Sequence, residues 1–458
     1  MRRMGRDRYV DFLRAWAIGL VVFGHWLITA LEHGPGGEID APELLAVVPW
    51  TQWLTLAFQV MPLFFLAGGY AAAGSWARER AAGGTAAGWV GRRALRLLLP
   101  TGVYSGLVLA AVGVCAAVGV DADTLALVGW ALAMQFWFLP VYLLLSALTP
   151  PLHAAHRRWG PRVPVVMGAV ALGADALVVA GQVPYLGLLN YVLVWGVAYQ
   201  LGFCWRDGLL GGRRAVPAVL AAAGGVAFAL LVWLGPFPVS LILVTGQDPS
   251  NTNPPSAAML AWAVAQVGLC LLVAPGVRQA LERERVWRVV RPVGGASMTL
   301  YLWHMVPVLV VAAAFYLTGL APEPRFGSVA WWGMRVPWLL VLGVVLAGVV
   351  WALRPVERGL AVVHEAVVHE AVGHERRMRP GVGLPPAWAL WLGLASGTGA
   401  LSRFAVQGFA PEGRFPVLPA LGLAVGLASV LLSGRWRAGV RRPRRPEEGP
   451  KRALEEAA

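Results

Sequence analysis

Residues 8–25 read Arg8-Tyr-Val-Asp11-Phe-Leu-Arg14-Ala-Trp-Ala-Ile-Gly-Leu-Val-Val-Phe-Gly-His25. They open an apolar run that continues to about Leu31, long enough to span a bilayer as a helix. Yet the run carries Asp11, Arg14 and His25. Ionisable groups inside a membrane span are costly and face a bundle interior or a wet cavity. On a helix turning 100° per residue the three fall within a sector of roughly 60°. Leu, Ile, Val and Phe cover the rest of the surface. Arg14 and His25 are separated by roughly 16 Å along the axis. Asp11 and Arg14, at i,i+3, are placed to pair. A snorkelling Arg with an unrelated packed His is the plainer account, but three such groups on one narrow stripe argue against it.

Working outward, the chain has 458 residues, of which 58% are hydrophobic and 14% charged, with 22 Trp. Soluble domains carry about 25% charged residues. We read an all-α, polytopic transmembrane helical bundle. Twelve stretches have membrane length: roughly 9–31, 49–73, 94–119, 123–148, 163–181, 185–205, 215–234, 257–275, 295–318, 332–353, 386–406 and 416–434. The basic N-terminus is not followed by a small-residue cleavage site, so the first run reads as a retained span. The net charge of +14 is distributed as Arg clusters in alternate short connections, which argues for membrane orientation and against nucleic acid. That bias predicts a cell-membrane protein with both termini cytoplasmic. Cys115, Cys204 and Cys270 lie in apolar runs, with no spacing for a metal site or a disulfide framework.

Three connecting regions stand out. Residues 235–256 are rich in Pro, Gly, Asn and Ser and read as turns; Asp248, Asn251 and Asn253 there could contact a hydroxylated acceptor or simply be solvated. Residues 362–375 repeat a Val-Val-His-Glu-Ala unit. Its His364, His369 and His374 step by five and so do not share a helix face, which speaks against a metal site. The tail from Arg435 is Pro- and Arg-rich and reads as disordered.

Three further stretches could carry chemistry. Pro62-Leu-Phe-Phe-Leu-Ala-Gly-Gly is followed by a basic loop and then Arg92-Arg93-Ala-Leu-Arg96-Leu-Leu-Leu-Pro100. Arg93 and Arg96 share a helix face, and guanidinium groups suit phosphate oxygens; positive-inside anchoring explains them equally well. Gln135-Phe-Trp137-Phe-Leu-Pro140 offers aromatics for packing or for lining an apolar tunnel. Gly295-Ala-Ser297-Met-Thr-Leu-Tyr301-Leu-Trp-His304 places a second His within a span, one turn after Tyr301.

Together these stretches resemble the membrane acyltransferase-3 family. Arg14-x10-His25 preceded by Asp11, the Phe-Phe run before Arg93-x-x-Arg96 and Pro100, the Trp137-Phe-Leu run, Ser297 to His304, and Arg354-Pro-Val-Glu357-Arg358 follow the family's order. Ala67 stands where the family usually has Ser. The resemblance covers about residues 8–358 and implies about ten family-like spans; two C-terminal spans lie outside it. It implies a multi-pass O-acyltransferase that moves an acyl group, acetyl or another short chain, from acyl-CoA to a hydroxyl of a cell-surface glycan or other small acceptor. His25 would be the general base, Arg14 would orient the donor or hold charge developing at the thioester, and Asp11 would orient Arg14. Arg93 and Arg96 would hold the coenzyme A phosphates. Ser297, Tyr301, His304 and Trp137 would line the substrate pocket. No metal and no bound cofactor are implied; acyl-CoA is a co-substrate.

The expected organisation is therefore an acyltransferase-like domain at 1–358, a cytoplasmic His/Glu-repeat linker at 359–385, two extra transmembrane helices at 386–434, and a basic tail at 435–458. The last two spans hold no cluster of polar groups, so a chain ending near Gly381 is expected to keep the chemistry. The expected partners are the lipid bilayer, acyl-CoA and a hydroxyl-bearing acceptor such as a sugar. A twelve-helix secondary transporter or flippase is the alternative, since intramembrane Asp, Arg and His also suit proton coupling.

Overall fold

The structure is a computed structural model that describes residues 7–33, 39–181, 183–316, 318–375 and 388–434. The basic tail at 435–458 and the linker from 376 to 385 lie outside the described residues. Among the described residues the protein is an all-α bundle, with a single two-residue ladder pairing Glu32–His33 with Ile39–Asp40. Among the described residues eight helices are long and apolar enough to cross a membrane, ten if each of two bent pairs counts as one span.

The first span is α1, Arg8–Ile28, capped by Asp7, whose carboxylate accepts from the Tyr9 N–H at 3.0 Å. It packs on α2, Met61–Ala81, which continues from the turns at 49–58. Next come α3, Ala86–Ala117, and α4, Ala122–Ala131. Then follow α5, Phe138–Ala147, and α6, Thr149–Trp159. The helices α7, Arg162–Val179, α8, Asn190–Arg206, and α9, Ala215–Trp233, lead to α10, Ala257–Glu282. Then come α11, Glu284–Gly295, α12, Ser297–Trp303, and α13, Val306–Val311. The chain ends in α14, Val329–Glu375, α15, Trp388–Gln407, and α16, Val417–Gly434.

Lipid tails offer no hydrophobic drive between helices, so close backbone contact has to hold the bundle. The α2–α8 crossing shows it: a Cβ on Gly69 would collide with the Tyr199 carbonyl oxygen, and one on Gly202 with that of Leu66. Two of the spans expected to be continuous are bent. Ala122–Ala131 meets Met134–Ala147 at 46°, and Ser297–Trp303 meets Val306–Tyr316 at 41°. Pro307 explains the second bend, because it has no N–H to continue the ladder and its ring crowds the preceding turn.

The boundary expected at 358/359 falls inside α14, which stays helical to Glu375; its 47 residues extend ~70 Å, more than twice the ~30 Å apolar core. The two C-terminal helices fall outside the ten spans: α15 is not among them, and the apolar part of α16, Val417–Ser433, is shorter than the others. Nor are they an appendage. They pair with each other and wedge against α3, α5 and residues 134–137. Phe404 and Phe409, both fully buried, pack on Phe136 at 6.4 and 5.6 Å, and the Phe409 N–H donates to the Gly129 carbonyl at 3.1 Å.

The 235–256 loop folds back onto the bundle. Asn251 is buried and donates to the Pro238 and Ser240 carbonyls at 2.7 and 2.9 Å, while Asn253 accepts from the Tyr191 hydroxyl at 2.7 Å. Asn251 is thus spent inside the loop and Asn253 ties the loop to α8, while Asp248 and Asn253 are both exposed.

Candidate active site: a histidine pair joined to an arginine cluster

The polar stripe of α1 turns inward along its whole length. Asp11 is buried near the basic end, Arg14 is half-buried, and His25 lies near the other end, also half-buried. The far end of α1 leaves carbonyls that its own helix cannot satisfy. α14 supplies the donors: Arg335 donates to the Thr29 carbonyl at 2.7 Å and Trp338 Nε1 to the Trp26 carbonyl at 3.0 Å. The turn that carries His25 is fixed by these two side chains.

His25 does not stand alone. Its Nδ1 lies 2.7 Å from Nε2 of His304, and the two rings meet edge to edge, 18° from coplanar, with centroids 5.0 Å apart. His304 Nδ1 lies 2.9 Å from the Tyr301 carbonyl oxygen, and Trp26 Nε1 donates to the His304 carbonyl at 2.6 Å. A carbonyl can only accept, so His304 Nδ1 must carry a hydrogen. In the neutral ring its Nε2 is then an acceptor, and His25 Nδ1 must donate to it. This leaves the lone pair of neutral His25 on Nε2. His304 is fully buried, whereas His25 is half-buried.

At the other end of the stripe three guanidinium groups gather. The charges of Arg93 and Arg14 both act on Arg96, which is exposed. Arg93 is half-buried, donates to Tyr142 Oη at 3.3 Å and to Ser75 Oγ at 3.5 Å, and lies 4.8 Å over the Trp89 ring. Those partners are neutral, and among the described residues no carboxylate pairs with it. Like charges held together favour an anion between them. The Tyr142 ring can lie there because residue 68 is Gly: a Cβ would come within 2.7 Å of it.

An aromatic wall joins the two ends. Tyr142 contacts Phe138 at 5.3 Å, and Phe138 contacts Tyr301 at 5.8 Å, whose carbonyl holds His304. Trp137 stands in the same layer, 5.8 Å from Trp195. Other expected pocket groups are already engaged. The Tyr301 hydroxyl donates to the Gln135 carbonyl at 2.7 Å, and Ser297 Oγ donates to the Gly294 carbonyl at 2.9 Å. Tyr301 therefore supports the site through its backbone, and Ser297 braces the start of α12. The sequence reading missed Trp26, Tyr142, Arg335 and Trp338. Gly68 beside a Phe-Phe run was the one visible hint of Tyr142.

A family model described as an acyltransferase domain, acyltransferase-3, matches residues 7–354. The chain belongs to that family. No curated protein and no solved structure matches it. The match includes the histidine pair and the arginine cluster and ends within α14. This member of the acyltransferase-3 family is thus a multi-pass membrane protein, and α15 and α16 lie beyond the family region.

Proposed function

We propose that the protein is an integral membrane O-acyltransferase that moves a short acyl group from acyl-CoA to a hydroxyl of a sugar or similar small acceptor, with His25 as general base. The observation that carries this reading is the 2.7 Å contact of His25 Nδ1 with His304 Nε2, which leaves His25 Nε2 as the free base. The acceptor O–H gives its proton to His25 Nε2 while its oxygen attacks the thioester carbonyl carbon. The resulting imidazolium keeps its Nδ1–H on His304. As the tetrahedral intermediate collapses, the C–S bond breaks and the departing sulfur takes the proton back from His25 Nε2. His304 is a positioning residue that selects the tautomer of His25, the role a carboxylate fills in serine hydrolases.

Arg93, Arg96 and Arg14 hold the phosphates of acyl-CoA, for which their planar donor forks are suited. Asp11 is assigned to orient Arg14. Trp137 and the Phe138–Tyr301 wall border the path of the acyl-bearing arm. Arg14 and His25 are roughly 16 Å apart along α1, a span the slender pantetheine arm can cover while the phosphates stay at the basic face. That face is assigned to the cytoplasm on the positive-inside bias, and the acceptor approaches from the opposite side. The test is coenzyme A release from acetyl-CoA by the protein in sealed vesicles of known orientation, with sugars supplied on one face at a time. Release that requires acetyl-CoA at the basic face and sugar at the other supports the reading. Full turnover with both substrates confined to the basic face contradicts the transmembrane arrangement.

A further inference from the structure

α11 is unlike the other helices. Its 12 residues, ~18 Å long, join the ends of two spans on the basic face. Val286, Val290 and Val293 fall on one side of it, half-buried or buried. Arg285, Arg288 and Arg291 occupy the other side, and all three are exposed, as is Arg283 just before the helix. Among the described residues none of these four is in an ion pair; Glu282 and Glu284, also exposed, leave the segment net basic. Val289, at the boundary of the two faces, is 69% exposed. A helix whose apolar side is taken up by the bundle and whose Arg-rich side is uncovered presents that side to the headgroup layer.

The apolar side rests on the catalytic helix. Arg8 of α1 lies 4.9 Å over the Trp287 ring and donates to the Leu281 carbonyl at 2.8 Å. At the last turn, a Cβ on Gly294 would lie 3.6 Å from the Asp11 carbonyl oxygen and 4.0 Å from Ala15 Cβ. Arg14 lies between those two residues. Whatever holds α11 at the surface therefore holds the turn of α1 that bears Arg14.

We propose that α11 docks on anionic phospholipid headgroups through Arg285, Arg288 and Arg291, and that this docking steadies the Arg14 turn of α1. The partner follows from charge complementarity: three exposed guanidinium groups, in no ion pair among the described residues and on one face of a helix at the basic end of the bundle, match a sheet of lipid phosphates. Each basic residue near such a surface strengthens binding ~fivefold, so removing three weakens it on the order of a hundredfold.

The test uses the full chain in nanodiscs of phosphatidylcholine, with or without phosphatidylglycerol, and does not depend on acyl transfer. Phosphatidylglycerol is expected to raise the Tm of the wild type. It should leave that of the Arg285→Gln/Arg288→Gln/Arg291→Gln variant unmoved, and the corresponding triple Lys variant should recover the shift. Brominated phosphatidylglycerol should quench the fluorescence lost in Trp287→Phe more than brominated phosphatidylcholine does; this needs only the wild type and that variant. An equal Tm shift in the triple Gln variant, or equal quenching by the two lipids, overturns the proposal. So does stabilisation through these arginines by free coenzyme A with none by phosphatidylglycerol, which would assign them to the acyl donor. Arg93→Ala should keep the lipid response while losing any coenzyme A response, so the two readings fail separately.

Discussion

Replacing His304 by Ala tests the pairing that the proposed mechanism needs. In the wild type His25 Nδ1 donates to His304 Nε2 at 2.7 Å, and that bond keeps the proton off His25 Nε2. In His304→Ala the donor loses its partner. A buried polar hydrogen left unsatisfied costs about 1–3 kcal/mol. The ring escapes that cost by rotating or by moving its proton to Nε2, and either change removes the base from the acceptor. A penalty of that size corresponds to a drop of roughly 5- to 150-fold in kcat. KM for acyl-CoA should hold steady, because the arginine cluster is roughly 16 Å away along α1. His304→Gln can place an amide oxygen near the old Nε2 position and accept the same bond, so it should recover much of the loss. The assay is the initial rate of thiol release from acetyl-CoA in nanodiscs, normalised to folded protein by size-exclusion fluorescence. Wild-type kcat in well-folded His304→Ala, or a loss expressed entirely as a raised KM for acyl-CoA, would refute the reasoning.

Three other outcomes follow from the same geometry. Arg93→Ala and Arg96→Ala should each raise KM for acyl-CoA more than they lower kcat. A charge-assisted bond is worth about 1.5–3 kcal/mol, roughly 10- to 150-fold, and Lys should restore only part because it lacks the fork. Gly68→Ala drives a methyl into the Tyr142 ring, at a cost of about 1–3 kcal/mol, and should weaken acyl-CoA binding through Arg93; a thermal scan beside KM measurements checks both. Phe409→Ala should destabilise the protein by about 3–5 kcal/mol, seen as a lower Tm, because the ring is fully buried against Phe136 and Phe404. It should also lower kcat, since Phe136 is next to Gln135, whose carbonyl anchors Tyr301.

Much of the architecture was legible because membrane spans announce themselves by length and apolarity. α1 was readable to within a few residues, and its stripe was visible because three ionisable groups recur on one helical face. The bend at 304–305 was visible in principle through Pro307. The pairing of His25 with His304 was not, since the two are 279 positions apart and no local period links them. Ser297 and Tyr301 looked like pocket groups because a hydroxyl in a span suggests chemistry. Their hydroxyls instead satisfy carbonyls, which water cannot reach in an apolar interior. The contribution of α15 and α16 was hidden because Phe404 and Phe409 read as ordinary apolar residues until the fold brings them to Phe136.

The central claim is that His25 moves the acceptor's proton in an acyl transfer from acyl-CoA. The most direct measurement is coenzyme A release from acetyl-CoA with a panel of sugars, by wild type and by His25→Ala reconstituted at equal folded amounts. A positioned general base contributes about 10²–10⁴-fold, so His25→Ala should lose acceptor-dependent release by that factor while still binding acetyl-CoA at the arginine cluster. Acceptor-dependent release at the wild-type rate from His25→Ala would contradict the account.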